Sequence, residues 1–152
     1  MVVADLALEI QKNSSAHYYA VQNHRLVSPD AVYVSLSYDN PELKKLMPWA
    51  GTHNDGRAPV LKTFYDVNTF WTIEEVDLRD IFGEGENVTV FGSFTVRSAK
   101  LFTSPFSIQL KLKDGLVTYM QYMEDTFGTG STFRSGGSWK FQSDLIGGEV
   151  EI

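Results

Sequence analysis

Cysteine is absent from the chain, which excludes disulfides, thiol nucleophiles and cysteine-ligated zinc. No stretch approaches the roughly 20 apolar residues of a membrane-spanning helix. Residues 1–15 lack the basic start and the apolar run of a signal peptide. The 13 basic residues are outnumbered by 19 acidic ones and form no stripe, so the domain would repel a phosphate backbone. These absences predict a cytoplasmic protein with neither a membrane nor a nucleic-acid partner.

Aromatic residues are abundant. They make up 13% of the chain, with ten Phe, seven Tyr and three Trp, which is enough to build a core or a pocket from flat rings. Apolar residues at 43% and charged residues at 21% fit a packed globular interior, and 152 residues fit one domain of ordinary size. We therefore expect a single domain spanning residues 1–152.

The first half of the chain reads as helix, strand, helix. Residues 4–25 have a roughly helical pattern, and "DAVYVSLSY" (30–38) alternates as a strand does. Residues 39–56 hold two prolines and two glycines, which predicts a long loop with a short helical turn after Pro41. "RAPVLKTFYDVNTFW" carries an apolar stripe at helical spacing, which predicts a helix of about 14 residues.

The second half reads as strands. "TIEEVDLRDIFG" alternates unevenly and "VTVFGSFTVRS" alternates well. "FSIQLKLKDGLVTYMQYMED" predicts a hairpin that turns at Asp114-Gly115. Helices segregated from a run of antiparallel strands predict an α+β fold, with helices on one face of a curved sheet. The glycine-rich tail, residues 135–152, has three interpretations: a late strand at "SWKFQ", a flexible segment, or a segment that closes over a pocket.

Three stretches carry a resemblance to a known family: "MPWAGTHNDGRAPVLKTFY", "VTVFGSFTVRSAKLFTSPFSIQLKLKDGLVTYMQY" and "MEDTFGTGSTFR". In this order and spacing, residues 15–134 resemble the SnoaL-like, ketosteroid-isomerase-like branch of the nuclear transport factor two-like superfamily. The resemblance implies a single SnoaL-like domain with the cystatin-like cone, in which a curved antiparallel sheet wraps around N-terminal helices and encloses an inner pocket. It also implies a homodimer.

The residues that ketosteroid isomerases use are mostly missing. By the resemblance, the position of their general-base carboxylate falls at Ser35, which is no base without an activator. The position of their oxyanion-hole acid falls at Ile108, which cannot donate a hydrogen bond. Tyr18, in the first predicted helix, is the one position that retains the matching residue type. Steroid-type isomerisation by that machinery is therefore not expected.

Glu124 and Asp125 end the last predicted strand, and adjacent strand residues point to opposite faces. The resemblance implies that Ile108, Met120 and Tyr122 lie on the inner face. By strand parity Glu124 then also lies on the inner face and Asp125 on the outer one. Burial beside apolar rings would raise the pKa of Glu124, as a catalytic acid or base requires. The alternative is a charge at a strand end that pairs with arginine or with loop amides. Asp125 is expected to cap the "TFGTGS" turn.

Histidines offer a second set of candidates. His53 lies beside Asp55 in the long loop, and such a pair can shuttle protons, although a solvated loop histidine is the alternative. His17 and His24 are seven residues apart and have no third ligand at metal spacing, so no metal site is expected.

These observations lead to one main hypothesis. The pocket would bind a small apolar molecule and, without a cofactor, isomerise, cyclise or dehydrate a carbonyl or polyketide-like substrate by general acid/base catalysis. The alternative is a non-catalytic binding protein or a dimerising interaction module. The catalytic candidates are Glu124, His53 and Tyr18. The candidates for the pocket wall are Trp49, Phe64, Trp71, Ile108, Met120 and Tyr122. For Trp49, Phe64 and Trp71 the favoured alternative is a place in the core.

Overall fold

A computed structural model describes residues 25–143 and 146–152. The predicted helix over residues 4–25, and with it Tyr18, His17 and His24, lies outside the described residues. Numbered over the described part of the chain, the elements are β1 (Val27–Ser35), α1 (Pro41–Leu46), β2 (Gly51–His53), α2 (Arg57–Phe70), β3 (Thr72–Glu84), β4 (Asn87–Arg97), β5 (Leu101–Lys113), β6 (Leu116–Glu124), α3 (Thr126–Ser131), β7 (Lys140–Phe141) and β8 (Val150–Glu151).

The main sheet has six strands in the order β2-β1-β6-β5-β4-β3. The strands β3 to β6 form the predicted antiparallel run, and the β5–β6 hairpin turns at Asp114 and Gly115 with φ of 52° and 79°. Both positive values match the two-residue turn that suits twisted hairpins. In contrast to the all-antiparallel expectation, β1 runs parallel to β6. The α+β fold with a curved sheet is confirmed, with this one parallel pair.

The long loop predicted over residues 39–56 contains two short elements. The predicted helical turn is present as α1, where the Asn40 side chain accepts hydrogen bonds from the backbone N–H of Glu42 and Leu43 at 3.1 and 3.0 Å. The strand β2 was not predicted. It pairs with the edge of β1 over three residues, too few for alternation to be visible in the sequence.

Uneven alternation in β3 has a structural cause. Register shifts between Ile73 and Glu75, and between Leu78 and Asp80, each insert an extra residue opposite β4. Each bulge changes which parity faces inward, so Ile73 and Val76 lie on the same face although they are three positions apart. Ile73, Val76 and Leu78 therefore lie on one face of the strand, although they do not alternate strictly in the sequence.

The inner face of the sheet carries the apolar core, and α2 packs on it next to β1. Val60 and Thr63 are the buried residues of α2. The helix begins in close contact with β1: Gly56 has φ of 73°, and a Cβ there would lie 1.8 Å from the carbonyl oxygen of Pro29. Only glycine fits this approach.

The described part of the tail forms the two-stranded β7–β8 sheet. The segment "SWKFQ" therefore contains a late strand, which was one of the three interpretations of the tail. Within the described residues, no helix has both the length and the apolar character needed to cross a membrane.

Candidate functional site

A cavity of about 120 Å³ lies between α2 and the inner face of the sheet. It is of the same order as an engineered apolar cavity of about 150 Å³ that binds benzene. All six residues predicted for the pocket wall line it. The complete lining is Tyr33, Ser35, Leu36, Trp49, Thr63, Phe64, Val67, Trp71, Ile73, Val76, Leu78, Phe94, Val96, Phe106, Ile108, Met120, Tyr122 and Glu124. This lining includes no described residue of the tail.

Aromatic rings make much of the wall. Phe106 stacks on Tyr122 with ring centroids 5.6 Å apart, and Phe94 lies 6.1 Å from Phe106. Across the cavity, Trp49 meets Trp71 edge to face at 5.4 Å. Such walls suit a flat ring, which can stack or make edge contacts with them.

Glu124 is the carboxylic acid among the described lining residues. It ends β6 opposite Phe106, on the inner face that strand parity predicted. Burial raises its pKa from 4.5 to about 7, and the hydroxyls of Thr129 and Tyr122 act in the opposite direction. The Thr129 hydroxyl lies 2.9 Å from Oε1 of Glu124. Near neutral pH this carboxyl can therefore both give and take a proton.

Two tyrosine hydroxyls accompany the carboxyl. Tyr33 is 2% exposed, and burial raises its pKa to about 12. Burial also holds the pKa of Tyr122 well above its ordinary value, and the charge of Glu124 adds to the effect. Both phenols stay protonated at neutral pH, so Tyr122 donates its hydrogen bond to Glu124 and Tyr33 can donate one to a ligand oxygen.

Asp125 has the structural role that was predicted for it. It is exposed, and its Oδ1 accepts a hydrogen bond from the backbone N–H of Gly128 at 2.8 Å, which caps α3. The two adjacent acids thus separate into one that lines the cavity and one that starts a helix. The expected turn is this helix.

Hydrogen bonds fix α3 against the end of α2. The indole N–H of Trp71 donates to the Thr132 hydroxyl at 2.7 Å, and that hydroxyl donates to the carbonyl of Thr129 at 2.7 Å. Phe133 stacks on Trp71 with centroids 4.8 Å apart. Because Trp71 lines the cavity, these contacts connect the cavity wall to α3, the helix whose Thr129 contacts Glu124.

His53 lies outside the lining of this cavity. Its Nε2 is 2.9 Å from the carbonyl oxygen of Trp49, and its ring stacks against Tyr33 at 5.9 Å. It lines a second, more polar depression with Asp55, and Trp49 is shared by both walls. The structure therefore does not bring His53 and Glu124 together in one cavity. Tyr18 lies outside the described residues.

Sequence reasoning missed several residues of the site. Tyr33 shares a strand face with Ser35, and Phe94 and Phe106 follow the alternation of their strands, so these three could have been found from parity. Thr129 had no such signal, because a helix built from "TFGTGS" is read as a glycine-rich turn. In residues 25–143 and 146–152, no group of three ligating side chains could hold a metal ion.

No protein-family model matches the chain. Two curated relatives do. Patulin synthesis protein F of Aspergillus clavatus is 43% identical over 120 residues, which cover 76% of this chain and 61% of that protein. Patulin biosynthesis cluster protein F of Penicillium expansum is 39% identical over 120 residues, which cover 76% and 60%. The chain thus spans about three fifths of the length of these relatives.

Solved structures give the fold class. An NTF2-like protein from Burkholderia thailandensis superposes with a TM-score of 0.68 at 17% identity, over 88% of this chain and 95% of that one. A protein with a ketosteroid-isomerase-like fold from Catenulispora acidiphila gives 0.58 at 14%, over 80% and 82%. The chain therefore has the cone-shaped fold of the NTF2-like superfamily, as its sequence predicted.

A further structure of this fold holds a ligand. TerC, co-crystallised with polyporic acid, superposes with a TM-score of 0.64 at 22% identity, over 87% of this chain and 98% of that one.

Proposed function

We propose that the chain binds a small, largely apolar ring compound in the cavity and that Glu124 acts on it as a general acid and base. The reaction would be a cofactor-independent isomerisation, cyclisation or dehydration of a carbonyl or polyketide-like substrate. The observation that carries this proposal is a carboxyl with a pKa of about 7 in an aromatic wall. A carboxyl in water would be fully ionised at neutral pH and a weaker base.

The chemistry needs few groups. The ionised Glu124 takes a proton from a carbon next to the carbonyl, and the electron pair moves onto the carbonyl oxygen as an enolate. Tyr33 donates a hydrogen bond to that oxygen. The protonated Glu124 then returns the proton to a different carbon, or to a hydroxyl that leaves as water. The apolar wall keeps bulk water from the enolate.

The relatives support a role in making a small molecule, since both are named for patulin synthesis. TerC, which shares this fold and was co-crystallised with polyporic acid, supports an organic small molecule as the ligand.

Binding can be tested without knowing the substrate. Fluorobenzene, followed by ¹⁹F NMR, should bind the wild-type protein. It should not bind Ile108→Trp, in which the new ring fills the cavity. Phe91→Trp, on the exposed outer face of β4, adds a similar ring elsewhere and should bind like wild type. Equal binding by folded Ile108→Trp would contradict the assignment of the cavity.

Catalysis can be tested by the exchange of α-hydrogens of cyclohexanone in D₂O. Glu124→Gln should slow the protein-catalysed exchange by about 100-fold or more, the usual contribution of a general base. Glu86→Gln makes the same chemical change in the exposed β3–β4 turn, away from the cavity, so it should exchange at the wild-type rate. Unchanged exchange in Glu124→Gln would remove it as the acid or base.

The second candidate is binding without chemistry. Ser35 and Ile108 favour it, since both line the cavity at the positions where the ketosteroid-isomerase pattern has acids. In that case fluorobenzene binds, while exchange stays at the buffer rate in wild type and in both variants.

We also propose that the protein is a homodimer and that it is located in the cytoplasm. It is supported by the family resemblance and by the exposed rings of Phe82 and Phe91, which lie 6.4 Å apart on the sheet. Sedimentation equilibrium should give twice the chain mass for wild type and the single mass for Phe91→Glu. A monomeric wild-type protein at micromolar concentration would refute the dimer. The cytoplasmic location stays a prediction that cell fractionation would check.

A further inference from the structure

We propose that Thr129 is the positioning residue of Glu124, and that its hydroxyl holds the carboxyl in the same place in both of its protonation states. The role in proton transfer rests on the function proposed above. The positioning itself rests only on contacts among described residues. No resemblance or relative assigns a role to this threonine.

Thr129 lies on α3 and is fully buried. Its Oγ1 is 2.9 Å from Oε1 of Glu124 and 2.9 Å from the carbonyl oxygen of Asp125. A threonine hydroxyl has one proton to donate and lone pairs with which to accept. It can therefore donate to only one of these two acceptors at a time.

The two arrangements match the two states of the acid. When Glu124 is ionised, the Thr129 hydroxyl donates to Oε1. When Glu124 is protonated, its O–H donates to Oγ1 of Thr129, and the Thr129 proton turns to the carbonyl of Asp125. One hydroxyl rotation thus follows one proton on or off the carboxyl, and no heavy atom has to move.

Neither arrangement leaves a buried group without a partner. The carbonyl of Asp125 also accepts the backbone N–H of Thr129 at 2.9 Å, so it keeps one hydrogen bond when the hydroxyl turns away. Leaving a buried polar group unpaired is the usual cost of such a change. Here that cost is absent, so the hydroxyl can follow the charge of Glu124.

The threonine itself is held on both sides. Asp125 caps the start of α3 through Gly128, and the backbone N–H of Asp125 donates to the Ser104 hydroxyl at 3.0 Å. At the other end, the Thr132 hydroxyl donates to the carbonyl of Thr129. A rigid support of this kind keeps a reacting group within a few tenths of an ångström of its position.

The other groups that influence Glu124 have different roles. The Tyr122 hydroxyl is a second donor, which stays protonated. The negative charge of Asp125 opposes ionisation of Glu124, and Glu124 in turn opposes ionisation of Tyr33. Among these groups Thr129 is the one for which the structure shows a second acceptor, the carbonyl of Asp125, that can take its proton when Glu124 is protonated.

The test is a titration of Glu124 by ¹³C NMR, with glutamate labelled at the side-chain carboxyl and the resonance assigned by its loss in Glu124→Gln. Thr129→Val keeps the shape and removes the hydroxyl, so the pKa of Glu124 should rise by about one unit, because the hydrogen bond lost by the charged carboxylate is stronger than the one lost by the neutral acid. Thr129→Ser keeps the hydroxyl and should titrate like wild type. An unchanged pKa in Thr129→Val, or an equal shift in Thr129→Ser, would overturn the proposal.

A second measurement uses the wild-type protein and does not depend on the folding of any variant. A buried hydroxyl proton exchanges slowly enough to be observed, so the Thr129 hydroxyl resonance should shift with the same midpoint as the Glu124 carboxyl. A resonance that does not respond to that midpoint would also overturn the proposal.

These outcomes are separable from the proposed catalysis. If Glu124→Gln leaves α-hydrogen exchange unchanged while Thr129→Val shifts the titration, the positioning holds and the general-base role fails. If both hold, the pH profile of exchange in Thr129→Val moves upward by the same interval as the titration, and Thr129→Ser keeps the wild-type profile.

Discussion

Glu124→Gln should make the protein more stable in alkaline solution and leave its stability nearly unchanged in acid. The folded state raises the pKa of this carboxyl from 4.5 to about 7, so the native protein binds the proton more tightly than the unfolded chain does. The native state therefore gains stability from the neutral acid below about pH 4.5. That gain is lost as the pH rises through 7.

The size of the effect follows from the shift. A change from 4.5 to about 7 is roughly 2.5 units, and each unit corresponds to about 1.36 kcal/mol. Ionising Glu124 in the folded state would then cost about 3 kcal/mol at most. Because the side chain is only half-buried, solvent reduces this figure, and we expect about 1–3 kcal/mol at pH 8.5. Glutamine mimics the neutral acid, and its carbonyl can still accept from Thr129.

The assay is urea unfolding of wild type and Glu124→Gln at pH 5, 7 and 8.5. Comparing the two proteins at each pH cancels the titration of groups that they share. The advantage of the variant should grow from about a quarter of its full value at pH 5 to the full value at pH 8.5. Glu86→Gln, in the exposed β3–β4 turn, makes the same chemical change and controls for the loss of one negative charge.

Two results would refute this reasoning. An advantage of Glu124→Gln that is equal at pH 5 and pH 8.5 would mean that burial does not favour the protonated acid. A wild-type protein that is the more stable of the two at pH 8.5 would mean that the hydrogen bonds of the carboxylate outweigh its desolvation, and that the pKa is lowered.

Three further substitutions test the fold around the site by urea unfolding. Gly56→Ala should lower the free energy of unfolding by at least about 2 kcal/mol more than Gly85→Ala does. Both positions have positive φ, but only at Gly56 would a Cβ clash with the carbonyl of Pro29. Equal losses would mean that the helix can move off β1. Asp125→Ala should cost about 1 kcal/mol through loss of the α3 cap, and Asp125→Asn much less; equal costs would argue against capping. Leu110→Ala, at a side chain that is 1% exposed, should cost about 2–5 kcal/mol, and a smaller loss would indicate a core that collapses around the gap.

Much of the sheet could be predicted from local pattern. The β5–β6 hairpin follows from clean alternation on either side of Asp114-Gly115, and α2 follows from an apolar stripe between Arg57 and Phe70. These signals are short-range, because side-chain direction in a strand or helix depends on spacing along the chain. Two features of the sheet, the strand β2 and the parallel pairing of β1 with β6, depend on partners elsewhere in the sequence. Neither gave a local signal in the sequence.

The candidate site divides in the same way. Parity separated Glu124 from Asp125, and the resemblance that put Ile108 on the inner face predicted Glu124 inward and Asp125 outward. It could not place His53, because nothing local says on which side of Trp49 a loop histidine will lie. It also could not find Thr129, whose contact with Glu124 needs α3 to fold back on the strand that precedes it.

The sequence by itself determined the α+β order and the side of β6 that Glu124 shares with Met120 and Tyr122, since both follow from spacing within single elements. The tertiary structure alone decided the pKa of that carboxyl, because the rings that bury it come from β4 and β5 and the hydroxyl that holds it comes from α3. It also decided the inner face of β3, where two bulges reverse the parity. Direction is a local property of the backbone, whereas burial and hydrogen bonding depend on which distant segments meet.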